Sequence, residues 1–243
     1  MKTLHIVKIY LDYDRPNLIL TRDWIKNRIE LFNQLTLKSL LNQTFKDFSI
    51  WVYCGQRNKD LTSNYPWDKS VQIIYDEAKI LKQIDYDYLT ITRIDSDDLM
   101  HKDAMQEVHD KTIYSKNMEK MIFKRNIVWD RNNCFIGLHY RVSPPFFTHI
   151  FPKALYKDWK FFSLNHYVKH GNAGGRLSST LELSTHKICV VKHGINISDI
   201  KRGRTFEVAT KARQEMLKEK GLILTLDPIE ILKILKDFGV EKL

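Results

Sequence analysis

Three carboxylates, Asp95, Asp97 and Asp98, follow directly on an alternating stretch, Leu89-Thr90-Ile91-Thr92-Arg93-Ile94. The alternation and its β-branched residues predict a buried strand. Carboxylates crowded at the end of a strand repel one another unless a cation or hydrogen-bond donors sit among them. In extended chain, residues two apart point the same way, so Asp95 and Asp97 can face one site. An all-oxygen donor set suits Mg²⁺ or Mn²⁺ better than zinc, and such ions take substrate phosphates as further ligands. An EF-hand loop starting at Asp95 is excluded, because Leu99, Met100 and Gln106 stand where it needs an acid or amide, a glycine and a glutamate. The simpler alternative is that Asp97 or Asp98 caps the next helix.

Other residues could join such a site. Arg28 is a charge inside the apolar spacing of Ile25, Ile29, Phe32, Leu37, Leu40 and Leu41, so it either pairs with an acid or reaches a phosphate. Lys201-Arg202-Gly203-Arg204 is either a solvated basic loop or a lid whose cations grip a diphosphate. Pro144-Pro145-Phe146-Phe147 offers rings that stack on sugar faces if exposed and build core if buried. His166 and His170 have helical i, i+4 spacing, but no H-E-x-x-H accompanies them, which argues against zinc.

The elements that position these groups read as follows. Leu4–Leu11 is a first strand, Trp24 to about Leu41 an amphipathic helix, and Phe48–Tyr53 a second strand. Strand, helix, strand implies a parallel pair, and ligands of such sheets lie at the carboxyl ends of the strands. Tyr53 and the Asp95 cluster therefore share an edge. Val71–Asp76 is a third strand, and residues 77–87 form a short helix or connector. Ala104–Tyr114 is a helix, and residues 121–129 and 134–139 form a hairpin. Ile188–Val191 is a last strand, followed at once by His193. Residues 205–220 are helical, and Asp227-Pro228 opens a final helix through Phe238, with Ile229, Leu232, Leu235 and Phe238 on one face.

The run Arg93-Ile94-Asp95-Ser96-Asp97-Asp98-Leu99 resembles the D-x-D region of GT-A-type glycosyltransferases, and more closely that of bacterial rhamnosyltransferase-like proteins. Those chains also carry segments like Trp24–Phe32 and Thr36–Phe48, and a late His-Gly-x-Asn motif like His193-Gly194-Ile195-Asn196. The resemblance spans roughly residues 1–200. It implies an α/β, GT-A-like (Rossmann-like) fold: a mixed, mostly parallel sheet flanked by helices, with a C-terminal helical extension. It implies a single catalytic domain over 1–200, about 1–100 forming the nucleotide-sugar half and 101–200 the acceptor half, followed by a basic loop and helices over 201–243. The function implied is metal-dependent transfer of a sugar from a nucleotide-diphosphate sugar to a hydroxyl acceptor, a saccharide or glycoconjugate. Asp97, Asp95 and His193 would then hold Mn²⁺ or Mg²⁺, with Asp95 also near the ribose. Arg93, Tyr53, Arg28, Lys201, Arg202 and Arg204 would serve the donor. In the resembled fold His166 falls near the acceptor-side base, with Asp158 and Glu182 as competitors. Many such enzymes have an acid after the second strand to bind the base, where this chain has Tyr53-Cys54-Gly55.

Composition bounds the alternatives. The chain has 243 residues, enough for one substantial core, and 43% apolar with 28% charged residues is a globular rather than a disordered composition. Cys54, Cys134 and Cys189 are odd in number and lack a C-x-x-C pair, which predicts free thiols rather than a disulfide framework. No apolar run approaches a membrane span, and the N-terminus lacks a signal-peptide pattern, so the expected location is the cytoplasm, with peripheral contact at an anionic inner-membrane face as an option. A formal charge of +10 favours anionic partners. A nucleic-acid-binding or non-catalytic nucleotide-binding protein is the alternative, but the basic residues are dispersed rather than gathered on one helix or sheet motif.

Overall fold

The computed structural model describes residues 1–11, 21–140, 146–166, 180–193 and 206–243. Among these, four parallel strands form the heart of the molecule: β1 (Thr3–Tyr10), β2 (Ser49–Tyr53), β3 (Val71–Ile74) and β4 (Tyr88–Asp95). They are rich in β-branched residues and mostly buried, as a sheet covered on both sides requires. After β4 the chain makes β5 (Leu99–Met100), β6 (Glu119–Ile122), β7 (Arg125–Asp130), β8 (Phe135–Tyr140), β9 (Phe147–Pro152), β10 (Thr180–Glu182), β11 (Ile188–Lys192) and β12 (Ile223–Thr225). They assemble into a seven-stranded sheet, β10-β6-β9-β4-β1-β2-β3, and a five-stranded sheet, β12-β8-β7-β11-β5. In the larger sheet only β9 runs against its neighbours. The expected mixed, mostly parallel sheet flanked by helices is therefore what forms.

Two expectations about strands need correction. Residues 121–129, read as one strand, break at Phe123-Lys124 into β6 and β7, which enter different sheets. The corner is held by the Asn126 side-chain amide, which donates to the Phe123 carbonyl at 2.8 Å. β7 and β8 do form the expected hairpin. Ile188–Val191 is not the last strand, since β12 follows and pairs with β8.

The helices are α1 (Arg22–Leu31), α2 (Leu37–Leu41), α3 (Lys59–Ser63), α4 (Glu77–Gln83), α5 (Ala104–Asp110), α6 (Lys153–Lys157), α7 (Trp159–His166), α8 (Phe206–Glu219) and α9 (Pro228–Lys236). Thr21 caps α1 by accepting the Trp24 N–H at 3.1 Å. The single helix expected over 24–41 contains a π turn, Phe32–Thr36, which joins α1 to α2. Such turns insert a residue and rotate the faces on either side. Asp227 caps α9, with Pro228 at its first position. Its buried face is Ile231 and Leu235, continued by Phe238, while Ile229 is 76% exposed, contrary to the expected stripe. Phe146 and Phe147 are buried, so these two rings build core.

Candidate functional site

The carboxyl end of β4 turns sharply, with the Asp98 N–H donating to the Asp95 carbonyl at 3.2 Å. The chain re-enters as β5, which pairs antiparallel with β11. Because His193 directly follows β11, this pairing carries it to the acids. The β1-to-β2 crossover places α1 over the same end of the sheet, and so delivers Arg28. Three distant segments thus meet at the Ser96–Asp98 turn.

Arg28 and Asp97 form the centre. The guanidinium engages both carboxylate oxygens, Nη1 to Oδ2 at 2.5 Å and Nη2 to Oδ1 at 2.9 Å, while Nε donates to Ser96 Oγ at 3.0 Å. His193 Nε2 lies 2.8 Å from Asp97 Oδ2. An ionised carboxylate only accepts, so Nε2 carries the proton. Arg28, Asp97, Asp98 and His193 are 6%, 5%, 4% and 6% exposed, respectively. Trp24 lies beside the guanidinium, 5.3 Å from ring centroid to Cζ.

The three acids have different electrostatic lives. Burial pushes the Asp97 carboxyl up, but the Arg28 charge and the His193 hydrogen bond more than offset it and hold the group well below the usual carboxylate range. Asp98 has no such cation. Burial first, then the charges of Asp97 and Asp95, raise it well above that range, against the Val191 N–H that donates to its Oδ1 at 2.8 Å. Asp95 stays partly exposed, with Arg93 at 3.7 Å. The capping reading fails for both buried acids, because Asp97 and Asp98 are spent on Arg28, His193 and Val191.

The donor types suit a hard cation, but their arrangement does not. Both Asp97 oxygens and His193 Nε2 are turned toward one another and toward Arg28. Among the described residues no three His, Cys, Asp or Glu side chains converge as a metal site. Of the expected Asp97, Asp95 and His193 set, Asp97 and His193 come together around an arginine. Arg28 takes the acid-pairing role of the two left open for it.

The remaining candidates fall elsewhere. Tyr53 hydrogen-bonds to Glu77, which also accepts from Lys8 Nζ at 3.0 Å, and the Lys8 ammonium lies 3.8 Å from the Tyr53 ring centroid. That buried cluster was not foreseen; its signal was Lys8, a charge inside an apolar strand. Asp158 caps α7 by accepting the Phe161 N–H at 3.1 Å, and it follows β9 residue Pro152, which pairs with Tyr88 at the far end of β4 from Asp95. Glu182 lies on the edge strand β10, paired with Lys124 at 3.0 Å. His166 ends α7, and its side chain lies outside the described residues, as do Lys201, Arg202 and Arg204. Beside His193 a cavity of about 350 Å³ is lined by Trp129, Arg131, Asn132 and Cys134. Cys54 and Cys189 are buried, Cys134 is exposed, and none of the three is in a disulfide.

A family model described as "Putative rhamnosyl transferase" matches residues 13–146, which is 134 of the 243 residues. The chain belongs to this family. Membership in the rhamnosyl transferase family points to a transferase, and its matched segment contains Arg28 and the whole Asp95–Asp98 cluster. No curated protein matches the chain. Solved structures similar to it include the 2-C-methyl-D-erythritol 4-phosphate cytidylyltransferase of Francisella tularensis, at 14% identity over 85% of this chain and 98% of that one, TM-score 0.42. The inositol-1-phosphate CTP transferase of T. maritima is 11% identical over 82% and 94%, TM-score 0.40. A manganese complex of Rv0371C from Mycobacterium tuberculosis H37Rv is 13% identical over 83% and 98%, TM-score 0.37. Likeness of this size carries no weight for the site.

Proposed function

We propose that this member of the rhamnosyl transferase family is a glycosyltransferase, moving a sugar from a nucleotide-diphosphate sugar to a hydroxyl of a saccharide or glycoconjugate. The observation that carries the reading is the Arg28–Asp97–His193 cluster at the carboxyl edge of a parallel sheet, the edge where ligands of such folds bind. The family match adds to it. The division near residue 100 into a donor half and an acceptor half is part of the proposal.

The leaving nucleoside diphosphate gains negative charge as the glycosidic bond breaks, and the anomeric carbon passes through an oxocarbenium-like state. Within this chain Arg93 and the basic run Lys201, Arg202 and Arg204 are assigned to that charge. Asp95, the acid left accessible, is assigned to the donor. Arg28 and His193 hold the Asp97 turn rigid, so that Asp95 is presented in one orientation. If the reaction inverts, the acceptor proton goes to a base, a role assigned to His166.

The test is a thermal-shift screen of UDP-, GDP- and dTDP-sugars, each with and without Mn²⁺. A ligand at 100 times its Kd that binds only the folded state stabilises by about 2.7 kcal/mol. A shift with one nucleotide class, lost in Asp95→Ala while the variant still melts cooperatively, supports the reading. Binding that requires Mn²⁺ would mean that Asp97 exchanges Arg28 for the ion. Binding without it leaves the charge to the basic side chains. No shift with any donor, together with a shift on nucleic acid, overturns the proposal in favour of a binding module.

A further inference from the structure

The face of the larger sheet that carries Asp95 also carries a row of basic side chains. Register pairs Lys8 with Arg93, Ile91 with His149, and His149 with Lys120. Partners in register project from the same face of a sheet, so Lys8, Arg93, His149 and Lys120 lie on one side of four adjoining strands. Two of these have acids at hand, since Lys8 is bound to Glu77 and Arg93 lies 3.7 Å from Asp95. His149 is buried, and burial, then the charges of Lys120, Lys8 and Arg93, push its ring down to about 3, so it stays neutral.

Lys120 is the exception. It is 1% exposed, yet it has neither a hydrogen bond nor a carboxylate partner among the described residues. Its ammonium lies 5.5 Å from the centroid of the Phe147 ring, and Phe147 pairs in register with Arg93. The side chain therefore leans toward the carboxyl edge, where Arg93 and Asp95 stand. Glu182, the nearest acid on β10, is taken by Lys124, and Glu119, the residue before Lys120 on β6, projects from the opposite face of the strand, where one of its oxygens accepts from Ser115. Burial alone pushes the Lys120 amine down to about 8, which leaves it mostly charged at neutral pH. A buried ammonium without an anion is costly, and this row lacks one negative charge. Lys120 lies one strand in from the sheet edge, where Thr180 and Glu182 are exposed.

We propose that Lys120, together with Arg93, binds a phosphate group of the substrate on this face of the sheet. This rests on the transferase reading for what carries the phosphate: the donor's diphosphate or a phosphate on the acceptor. A lysine is a compact point charge suited to such a group. Asp95 and Lys120 would then bracket the substrate from two strands, β4 and β6.

The test labels the protein with ¹³Cε-lysine and assigns the Lys120 resonance by its loss in Lys120→Arg. Inorganic phosphate, pyrophosphate and glycerol phosphate are titrated in turn. The expected result is a saturable shift of this resonance, with its titration midpoint raised by about one pH unit. Pyrophosphate binding tighter than the monoesters assigns the site to the donor, and the reverse order to the acceptor. Lys120→Met, which removes a buried charge and keeps the volume, should fold and bind phosphate at least tenfold more weakly. No saturable shift with any of the three, or unchanged affinity in Lys120→Met, overturns the proposal. A protein that shows no nucleotide-sugar shift but still moves this resonance has lost the transferase reading and kept this one.

Discussion

Arg28 and Asp97 serve as each other's solvent. Taking two such charges out of water costs several kcal/mol per ion, recovered only because the pair is bidentate and its remaining groups bind Ser96 and His193. Removing one partner strands the other. Arg28→Ala should therefore lower the urea-unfolding free energy by about 3–5 kcal/mol, and Arg28→Lys should recover little of it, since an ammonium cannot span both oxygens. Asp98 behaves in the opposite way. Its folded-state pKa is raised, so the native state binds the proton more tightly than the unfolded chain. Its stability contribution is full at acid pH and is lost as pH rises from the usual carboxylate range toward the raised value. Asp98→Asn, neutral at every pH and still able to accept from Val191, should flatten that loss, whereas Asp97→Asn should destabilise throughout. Denaturation midpoints of both variants across pH 4 to about 8 separate the two roles. The three acids were legible as a cluster. Their division into a paired, a desolvated and an accessible one was not, because Arg28 is 69 residues and His193 96 residues from Asp97.

Elements were legible where a pattern repeats locally. The parallel strands alternate or run apolar over their whole length, and Asp227-Pro228 announces a helix start whatever lies around it. The π turn at Phe32–Thr36 was not legible, because it is set by packing and by Asn33, whose side-chain amide donates to the Ile29 carbonyl and to the Tyr65 hydroxyl. The break between β6 and β7 was signalled only by the polar run Lys124-Arg125-Asn126 inside an otherwise apolar stretch, and the turn itself depends on the Asn126 amide reaching the Phe123 carbonyl. Gly239 shows how the last helix is fixed. Its φ of +77° is costly for residues with a side chain, and an added Cβ would stand 3.0 Å from the Lys38 carbonyl oxygen. Gly221 has a similar φ of +62°, with nothing near its missing Cβ. Gly221→Ala should cost about 1 kcal/mol, the backbone penalty alone. Gly239→Ala should cost clearly more, because α2 must also give way, and thermal unfolding of the two variants side by side measures the difference.

Across the whole molecule, among the described residues no helix is long and apolar enough to cross a membrane. Stability should fall steeply in acid. His5 is pushed down to about 4 by burial, then by His109, against a smaller opposing pull from Asp47, and His149 to about 3. The unfolded chain binds protons at these sites from about pH 6.5 downward and the native state does not. The contribution of the neutral rings is therefore present above that pH and lost progressively toward pH 3–4. Following far-ultraviolet circular dichroism from pH 7 to about 3 should show unfolding that His149→Gln shifts to lower pH.

The interior strand β1 is hydrogen-bonded on one side to β2 and on the other to β4, with Thr3 opposite Tyr88. Closing that second ladder brings together residues separated by most of a hundred positions, and the entropy of the loop is spent before any contact repays it. Refolding from denaturant should accordingly be slow, nearer seconds than microseconds, with the rate limited by parallel pairing rather than by helix formation. During that delay the strands outermost among the described residues, β3 and β10, can pair between two chains at high concentration before either has finished folding.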